Sequence, residues 1–164
     1  MSTAAQRCFA ITAPGLEGIT AAELAALGIV PLATEPGGVE FEATPIQLQA
    51  ANLELRTAGR ILVRLAEFPA RAFYELERKA RRVPWTDIVG PTTPVRFRVT
   101  ARKSRLYHAD AIAQRLLAVL GGERATEARG NPGDDDEEAP DRAGTETQLF
   151  VVRVLRDIVT VSAD

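Results

Sequence analysis

The segment from Val95 to Leu120 constrains the fold of this chain more than any other part of the sequence. Apolar and polar residues alternate at its start, and apolar residues recur at helical spacing towards its end. A period of two places alternate side chains on opposite faces of a β-strand, whereas a period of 3.6 residues defines an amphipathic helix. The segment therefore predicts a strand, a basic turn and a helix in direct succession.

The rest of the chain continues this mixture of strands and helices. Local signals separate the segments, such as the turn Pro36-Gly37-Gly38 and the capping box of Thr44 with Gln47. The order β-α-β-β-α followed by β-α-β-α-β-β predicts an α/β (α+β) fold of two small units in tandem, with helices packed on mixed sheets. We expect strands at residues 7–12, 30–35, 39–42, 61–68, 95–102, 148–155 and 158–162, helices at residues 16–27, 44–58 and 70–82, and a last helix that follows the basic turn and ends before Gly121.

Several core residues follow from the same patterns. We expect Trp85 to be a packing anchor rather than a platform on which a base stacks. The single cysteine, Cys8, lies in an apolar run, which favours a buried small side chain over a nucleophile and fits a reducing cytoplasm. One broad face of the first helix is expected to carry four apolar side chains, those of Leu16, Ile19, Leu24 and Leu27.

Composition places the chain among globular proteins. It has 164 residues, of which 46% are hydrophobic and 26% charged. No apolar run approaches the roughly 18 residues that cross a bilayer, and the N-terminus lacks the layout of a secretory signal. We therefore expect a cytoplasmic protein without a membrane partner.

The net charge of −2 conceals a strong segregation of charge along the chain. Residues 1–52 carry one cation and five acids, whereas residues 53–120 carry 14 cations and six acids, a net charge of +8. Residues 121–147 carry three cations and nine acids, including the run Asp134–Glu138. This last stretch lacks apolar periodicity and is expected to be a mobile acidic loop rather than a calcium site.

The turn of the opening segment is the strongest candidate for a binding site. Its cations, hydroxyls and rings suit a phosphate backbone with exposed bases, so RNA or DNA is the expected ligand. An ordinary solvated strand face and loop would show the same pattern, and the lone His108 could simply form a local hydrogen bond. The residues concerned are Arg96, Arg98, Arg102, Lys103, Ser104, Arg105, Tyr107 and His108.

Catalytic motifs are absent from the sequence. One histidine and one cysteine cannot assemble a zinc cluster, and neither a nucleophile elbow nor a phosphate-binding glycine loop occurs. We therefore expect no catalytic and no metal-binding residues, and the chain reads as a binding module rather than an enzyme.

Several short motifs, in their order and spacing, resemble the N-terminal half of THUMP-containing RNA methyltransferases, particularly the bacterial large-subunit ribosomal RNA guanine-N2 methyltransferases. The resemblance covers most of residues 7–120 and the final hairpin. The motifs are Ala13-Pro14-Gly15-Leu16-Glu17, Glu23-Leu24, Leu27-Gly28, Pro36-Gly37-Gly38-Val39-Glu40-Phe41, Asn52-Leu53, Leu55-Arg56-Thr57-Ala58-Gly59-Arg60, Phe73, Glu75-Leu76, Pro84-Trp85, Lys103-Ser104-Arg105-Leu106-Tyr107-His108, Ile112 and Gln114-Arg115.

The resemblance implies a ferredoxin-like domain at residues 1–56 and an RNA-binding THUMP domain at residues 57–164, with the acidic loop at 121–147 as a departure from the family pattern. It also implies a C-terminal catalytic domain that uses S-adenosylmethionine and carries an Asn/Asp-Pro-Pro-Tyr/Phe motif. That motif is absent here, and Asn131-Pro132-Gly133 is no substitute, so we expect a truncated or stand-alone fragment.

The function implied is to position structured RNA, foremost 23S ribosomal RNA, for that methyltransferase domain. Arg56, Arg60 and Arg115 are additional candidates for RNA contacts, although each could instead bridge structural elements. Two alternatives stay open: a module that binds the acceptor end of transfer RNA, and a ferredoxin-like domain for small-molecule regulation or dimerisation. The sequence leaves the modified nucleotide and the oligomeric state undetermined.

Overall fold

The computed structural model describes residues 4–121, 125–130 and 147–164, the middle range through its backbone alone. The chain forms two compact units. Unit one runs as far as Arg64 and includes Asp164, and unit two comprises Leu65–Ala163. The division falls inside a strand, beyond the position at residues 56 and 57 that the sequence predicts, because one long strand contributes to both units.

Unit one has the βαββαβ order of a ferredoxin-like fold. Its strands pair antiparallel in the order β2-β3-β1-β4, which confirms the predicted fold class for this part of the chain. The elements are β1 (Gln6–Thr12), α1 (Glu17–Ala26), β2 (Pro31–Glu35), β3 (Gly38–Ala43), α2 (Pro45–Glu54) and the first part of β4 (Ala58–Pro69).

Two predicted local signals of unit one are confirmed. Thr44 Oγ1 accepts a hydrogen bond from the backbone N–H of Gln47, whose side chain accepts one from the Thr44 backbone, so the capping box starts α2. Between β2 and β3, Gly37 has a φ of 91°, the left-handed conformation that glycine adopts without strain. The Glu17 carboxylate holds this turn by accepting hydrogen bonds from Gly15 N and Gly37 N, each at 2.8 Å.

The buried face of α1 differs from the predicted one. Leu24 is fully buried as expected, but Ile19 is 52% exposed and Thr20 is fully buried in its place. The reason is a hydrogen bond of 2.7 Å between the hydroxyls of Thr20 and Thr57, which turns the threonine side of the helix inward. Cys8 is fully buried, as predicted, and burial raises the pKa of its thiol to about 11.

Unit two packs two helices on one face of a mixed sheet. Within it β5 pairs parallel with both β6 and β7, and β7 pairs antiparallel with β8. The elements are the second part of β4, α3 (Phe73–Ala80), a 3₁₀ turn (Trp85–Asp87), β5 (Val95–Arg102), α4 (Ala109–Leu120), β6 (Ala125–Gly130), β7 (Gln148–Leu155) and β8 (Ile158–Ala163).

The core of unit two centres on Trp85, which is the packing anchor that the sequence predicts. Its ring meets Phe97 and Phe150 edge to face, with centroids 5.8 and 5.1 Å apart. Its indole N–H donates a hydrogen bond of 2.8 Å to the carbonyl oxygen of Ala80, so the only polar atom of the ring is satisfied. Ile112 and Leu116 of α4 complete this core.

Two predicted boundaries in unit two are wrong. The expected loop at residues 121–147 contains β6, which pairs parallel with β5 as an edge strand. Strand pairing uses backbone hydrogen bonds, so β6 need not show the alternation of apolar residues by which a strand is recognised in the sequence. The acidic run Asp134–Glu138 lies outside the described residues, as does Asn131-Pro132-Gly133. The helix expected from residue 70 begins at Phe73, because the N–H of Ala70 is hydrogen-bonded to the carbonyl oxygen of Asp157 at 2.8 Å.

Candidate nucleic-acid interface

The predicted alternation of β5 is confirmed. Val95, Phe97 and Val99 are fully buried against the helices, whereas Arg98 and Arg102 are exposed on the opposite face of the sheet. Arg96 is partly exposed. It lies on the same face as Arg98, because side chains two residues apart in a strand point to the same side.

Arg153 joins these arginines from the neighbouring strand. In the parallel register of β5 with β7 it lies opposite Thr100, so its side chain belongs to the face of Arg98 and Arg102. We call Arg96, Arg98, Arg102 and Arg153 the basic face. Within the part of the chain that the structure describes, none of these guanidinium groups forms an ion pair. The four guanidinium groups thus bring positive charge to one face of the sheet.

The loop after β5 is tied to the turn between β7 and β8. Ser104 Oγ donates a hydrogen bond to the Arg102 carbonyl oxygen at 2.9 Å and accepts one from the Asp157 N–H at 3.0 Å. Asp157 Oδ1 in turn accepts a hydrogen bond of 2.8 Å from the Arg105 N–H. The hydroxyl proton of Ser104 is thus used within the protein, and one oxygen lone pair remains for the predicted contact to a phosphate or a 2′-hydroxyl.

These ties gather four cations at one corner of unit two. Lys103 and Arg105 belong to the loop, Arg156 to the turn, and Arg71 pairs through Nε with Asp157 Oδ2 at 3.3 Å. We call Arg71, Lys103, Arg105 and Arg156 the basic corner. Because β5 and β7 are parallel, Arg102 and Leu155 end at the same edge, so the corner adjoins the basic face. The Asp157 carboxylate lies among the four cations and fixes the backbone beneath Arg105, and the Glu75 carboxylate accepts a hydrogen bond from the Arg71 N–H.

Tyr107 and His108 extend from the same loop into α4. Tyr107 is 66% exposed, and its ring lies 4.0 Å from that of His108, measured between centroids. His108 occupies the N-cap position of α4 without a capping hydrogen bond from its side chain. Both rings are accessible for the stacking role that the sequence predicts.

Arg115 occupies a structural position. Its Nη1 donates a hydrogen bond of 2.6 Å to Glu77 Oε1 in α3, and its guanidinium group lies 5.3 Å from the centroid of the Phe73 ring. These contacts join α3 to α4, which is the bridging alternative that the sequence leaves open for this residue.

Arg56 and Arg60 belong to unit one, and each is held there by contacts within that unit. The N–H groups of Arg56 and Thr57 donate to the Glu23 carboxylate, each at 3.2 Å. Arg60 Nη1 lies 3.1 Å from Asp164 Oδ2. The hydrogen bonds, foremost that from the Thr57 side chain, lower the pKa of Glu23.

Three cations near the site, Arg71, Arg153 and Arg156, escape prediction from the sequence. The sequence does contain a signal for Arg153, because the final hairpin was predicted correctly. Within residues 150–155, where burial alternates along β7, Arg153 is the single polar residue. What the sequence does not reveal is the strand order, which brings β7 beside β5.

Other kinds of site are not supported by the described residues. They contain no group of three or more His, Cys, Asp or Glu side chains that could hold a metal ion. Among the helices that the structure describes, none has the length and apolar character to span a membrane.

Residues 7–62 match the model of the RlmL ferredoxin-like domain. The chain is 26% identical, over all of its length, to the "Ribosomal RNA large subunit methyltransferase K/L" of Colwellia psychrerythraea, of which it covers 22%. It is 39% identical to the "Putative RNA methyltransferase YpsC" of Bacillus subtilis over 48% of this chain and 20% of that protein. The chain thus spans about a fifth of the length of these two relatives.

Solved structures share the fold over almost the whole chain. The crystal structure of "a predicted N6-adenine-specific DNA methylase" from Listeria monocytogenes superposes with a TM-score of 0.76 and 26% identity, over 98% of this chain and 40% of that one. The structure of "SMU.472, a putative methyltransferase complexed with SAH" gives a TM-score of 0.78 at 23% identity, over 100% of this chain and 42% of that one.

The fold of unit one, the matched residues and the relatives agree with one another. Residues 7–62 match the RlmL ferredoxin-like domain, and the chain is similar to part of larger proteins that are named as RNA methyltransferases.

Proposed function

We propose that this chain is an RNA-binding module that holds structured RNA for an S-adenosylmethionine-dependent methyltransferase domain. The observation that carries the proposal is the basic face: four arginines from two adjacent parallel strands, without described ion-pair partners, beside four further cations at the basic corner. Relatives named as RNA methyltransferases support RNA as the ligand. In this proposal unit two is a THUMP domain.

Each group in the site has a definite task. The arginines of the basic face and the basic corner contact phosphates, which fixes the position of the RNA without reading its sequence. Tyr107 and His108 stack on an unpaired base, and the remaining lone pair of Ser104 accepts a hydrogen bond from a 2′-hydroxyl. Asp157 contacts no RNA, but holds the loop in the conformation that presents Lys103 and Arg105.

We propose 23S ribosomal RNA as the substrate and the N2 atom of a guanine as the methylated position, in line with a relative that is named for the large ribosomal subunit. The methyl donor is bound by a catalytic domain outside these residues, and the module works in the cytoplasm where ribosomal RNA is modified. Arg56 and Arg60 would add contacts from unit one.

Fluorescence anisotropy with labelled RNA tests this function. We expect the affinity for a ribosomal RNA fragment to fall about 10²-fold or more between roughly 50 and 200 mM salt, because several phosphate contacts release counterions. Transfer RNA and a DNA of the same sequence serve as competitors. Tighter binding of transfer RNA would favour the acceptor-end alternative, and equal binding of DNA would contradict a role for the 2′-hydroxyl.

Two sets of variants locate the site. The face variant is Arg98→Ala with Arg153→Ala. The corner variant is Lys103→Asn with Arg105→Ala, to which Arg102→Ala is added because Arg102 is the residue of the basic face that adjoins the corner. Asn replaces Lys103 because the φ of 50° at this position is in the left-handed region, which Asn tolerates. Each lost phosphate contact should reduce the salt slope by about one.

The matched control for the face variant is Arg98→Lys with Arg153→Lys, which keeps both charges and should retain most of the affinity. Unchanged binding by correctly folded face and corner variants would remove this surface from the proposal. A wild-type chain that binds no RNA but gains thermal stability from small metabolites, or that dimerises, would favour the regulatory alternative.

A further inference from the structure

The outer side of α3 carries a second row of cations, away from the basic face. Arg78, Arg81 and Arg82 are exposed, and Tyr74, one turn before Arg78, is 67% exposed. Tyr74, Arg78 and Arg81 follow one another at spacings of four and three residues, so they lie on the same side of the helix. We call these four residues the α3 stripe.

Both acidic residues of α3 accept hydrogen bonds, and the Glu75 carboxylate also has a favourable electrostatic interaction with Arg78. The Glu77 carboxylate is hydrogen-bonded to Arg115, and Glu75 accepts hydrogen bonds from the Arg71 N–H and the Tyr74 hydroxyl. The hydrogen bond from the Arg71 backbone lowers the pKa of Glu75. Neither Arg81 nor Arg82 has an ion-pair partner among the described residues.

The α3 stripe and the basic face lie on opposite sides of unit two. Leu76 and Ala80, on the reverse side of α3, are fully buried in the core that contains Phe97. Arg98 follows Phe97 in β5 and points the other way, because successive side chains of a strand alternate. The sheet and its helix layer therefore separate the two groups of arginines.

We propose that the α3 stripe contacts the backbone of a second RNA segment, so that unit two lies between two segments of the same folded RNA. This inference rests on the proposed function, because it takes RNA binding at the basic face as given. It adds a second interaction surface and predicts that the module prefers RNA in which two stems approach each other.

The chemistry of the stripe favours RNA over an acidic protein. Arginine binds phosphate through two parallel hydrogen bonds, and an exposed tyrosine ring offers a stacking surface that an acidic peptide does not require. Arg78 lies in the last turn of α3 together with Lys79, where a cation also stabilises the helix dipole.

The test compares a single RNA hairpin with a junction RNA that joins two such stems, with the affinity of the 164-residue chain measured for each. The stripe variant is Arg78→Ala, Arg81→Ala and Arg82→Ala, and its matched control replaces the same residues with Lys. Alanine favours helix, and the buried side of α3 is untouched, so circular dichroism and the thermal midpoint should show an intact fold.

We expect the wild type to bind the junction about tenfold or more tighter than the hairpin, since two surfaces act together. The stripe variant should lose this advantage and about two to three units of salt slope on the junction, while its hairpin affinity changes less than about twofold. The Lys control should keep most of the preference. Ultraviolet crosslinking of the unaltered chain should join the peptide that contains Tyr74 to the junction RNA.

Other outcomes would overturn the inference. If the stripe variant binds the junction as the wild type does, the basic face alone carries binding. If poly-L-glutamate displaces the junction RNA as well as unlabelled RNA does, an acidic protein is the better partner. A wild type that binds neither RNA would instead refute the proposed function itself, so the two failures are distinguishable.

Discussion

The backbone N–H of Arg105 donates a hydrogen bond of 2.8 Å to the carboxylate of Asp157, although 52 residues separate them in the chain. Asp157 has a φ of 64°, and Arg156 before it has a φ of 51°, so the turn between β7 and β8 places both residues in the left-handed region. Asp tolerates this conformation better than most residues. The turn thus combines an unusual backbone with a carboxylate that organises the basic corner.

Substitution of Asp157 should loosen the corner and lower stability. Asp157→Ala removes the acceptor for Arg105 and places alanine at a positive φ, so we expect the free energy of unfolding to fall by about 2 kcal/mol. Asp157→Asn keeps an acceptor and suits the turn, so its loss should be about 1 kcal/mol or less. Urea denaturation measures both values, and equal losses would show that the side-chain acceptor is unimportant.

Arg115 should behave as a structural residue. Its ion pair with Glu77 is half exposed on the arginine side, so a double-mutant cycle of Arg115→Ala and Glu77→Ala should give a coupling of about 0.5 kcal/mol. RNA affinity of Arg115→Ala should stay within about twofold of the wild type. A loss as large as that of the face variant would instead identify Arg115 as an RNA contact.

The stability of unit one should depend on the ionisation of Glu23. Hydrogen bonds from Thr57 and Arg56 lower the folded-state pKa of Glu23 below its unfolded value of about 4.3. The ionised carboxylate therefore contributes stability above the unfolded pKa, and this contribution is lost as the pH falls towards the lower folded pKa.

Thermal denaturation of Glu23→Gln and the wild type between about pH 3 and pH 7 checks this. The wild type should be the more stable at neutral pH, and the difference should shrink below about pH 4.3. Glu17 and Glu75, whose pKa values are also lowered, are present in both proteins and cancel in the comparison. A difference in stability between the two proteins that stays constant with pH would mean that the hydrogen bonds to Glu23 stabilise unit one whether or not the carboxyl group is ionised.

Trp85 should report on folding but not on RNA. It is the single tryptophan of the chain and is 6% exposed, so its fluorescence should be blue-shifted and should red-shift on unfolding. Trp85→Ala should lower the free energy of unfolding by about 3–5 kcal/mol, since a large cavity opens beside Phe97 and Phe150. Saturating RNA should leave the emission of the wild type unchanged, and strong quenching by RNA would contradict its place in the core.

Much of the fold is predictable because local chemistry and tertiary packing agree. The capping box at Thr44, the Gly37 turn and the alternation of β5 each specify one local structure, and the structure contains all three. The errors occur where a non-local contact prevails over local pattern. Thr20 replaces Ile19 in the core because its hydroxyl has a partner at Thr57, and β6 is fixed by its parallel pairing with β5.

The candidate site was predictable in part for the same reason. The arginines of β5 can be predicted from the alternation of polar and apolar residues within one segment. Arg153 and Asp157 cannot be assigned to the site in this way, because strand order and a hairpin turn bring them close to those arginines. Ser104 was recognised as part of the site, but its hydrogen bonds to Arg102 and Asp157 depend on tertiary structure.

The link between Ser104 and Asp157 has a consequence for synthesis of the protein. Because Asp157 follows Ser104 by 53 positions, the loop that presents Lys103 and Arg105 cannot be locked until the turn at Asp157 has emerged from the ribosome. Unit one can complete most of its sheet earlier, since domains fold from the N-terminus as they are translated. In a nascent chain the basic corner therefore becomes organised after most of the sheet of unit one.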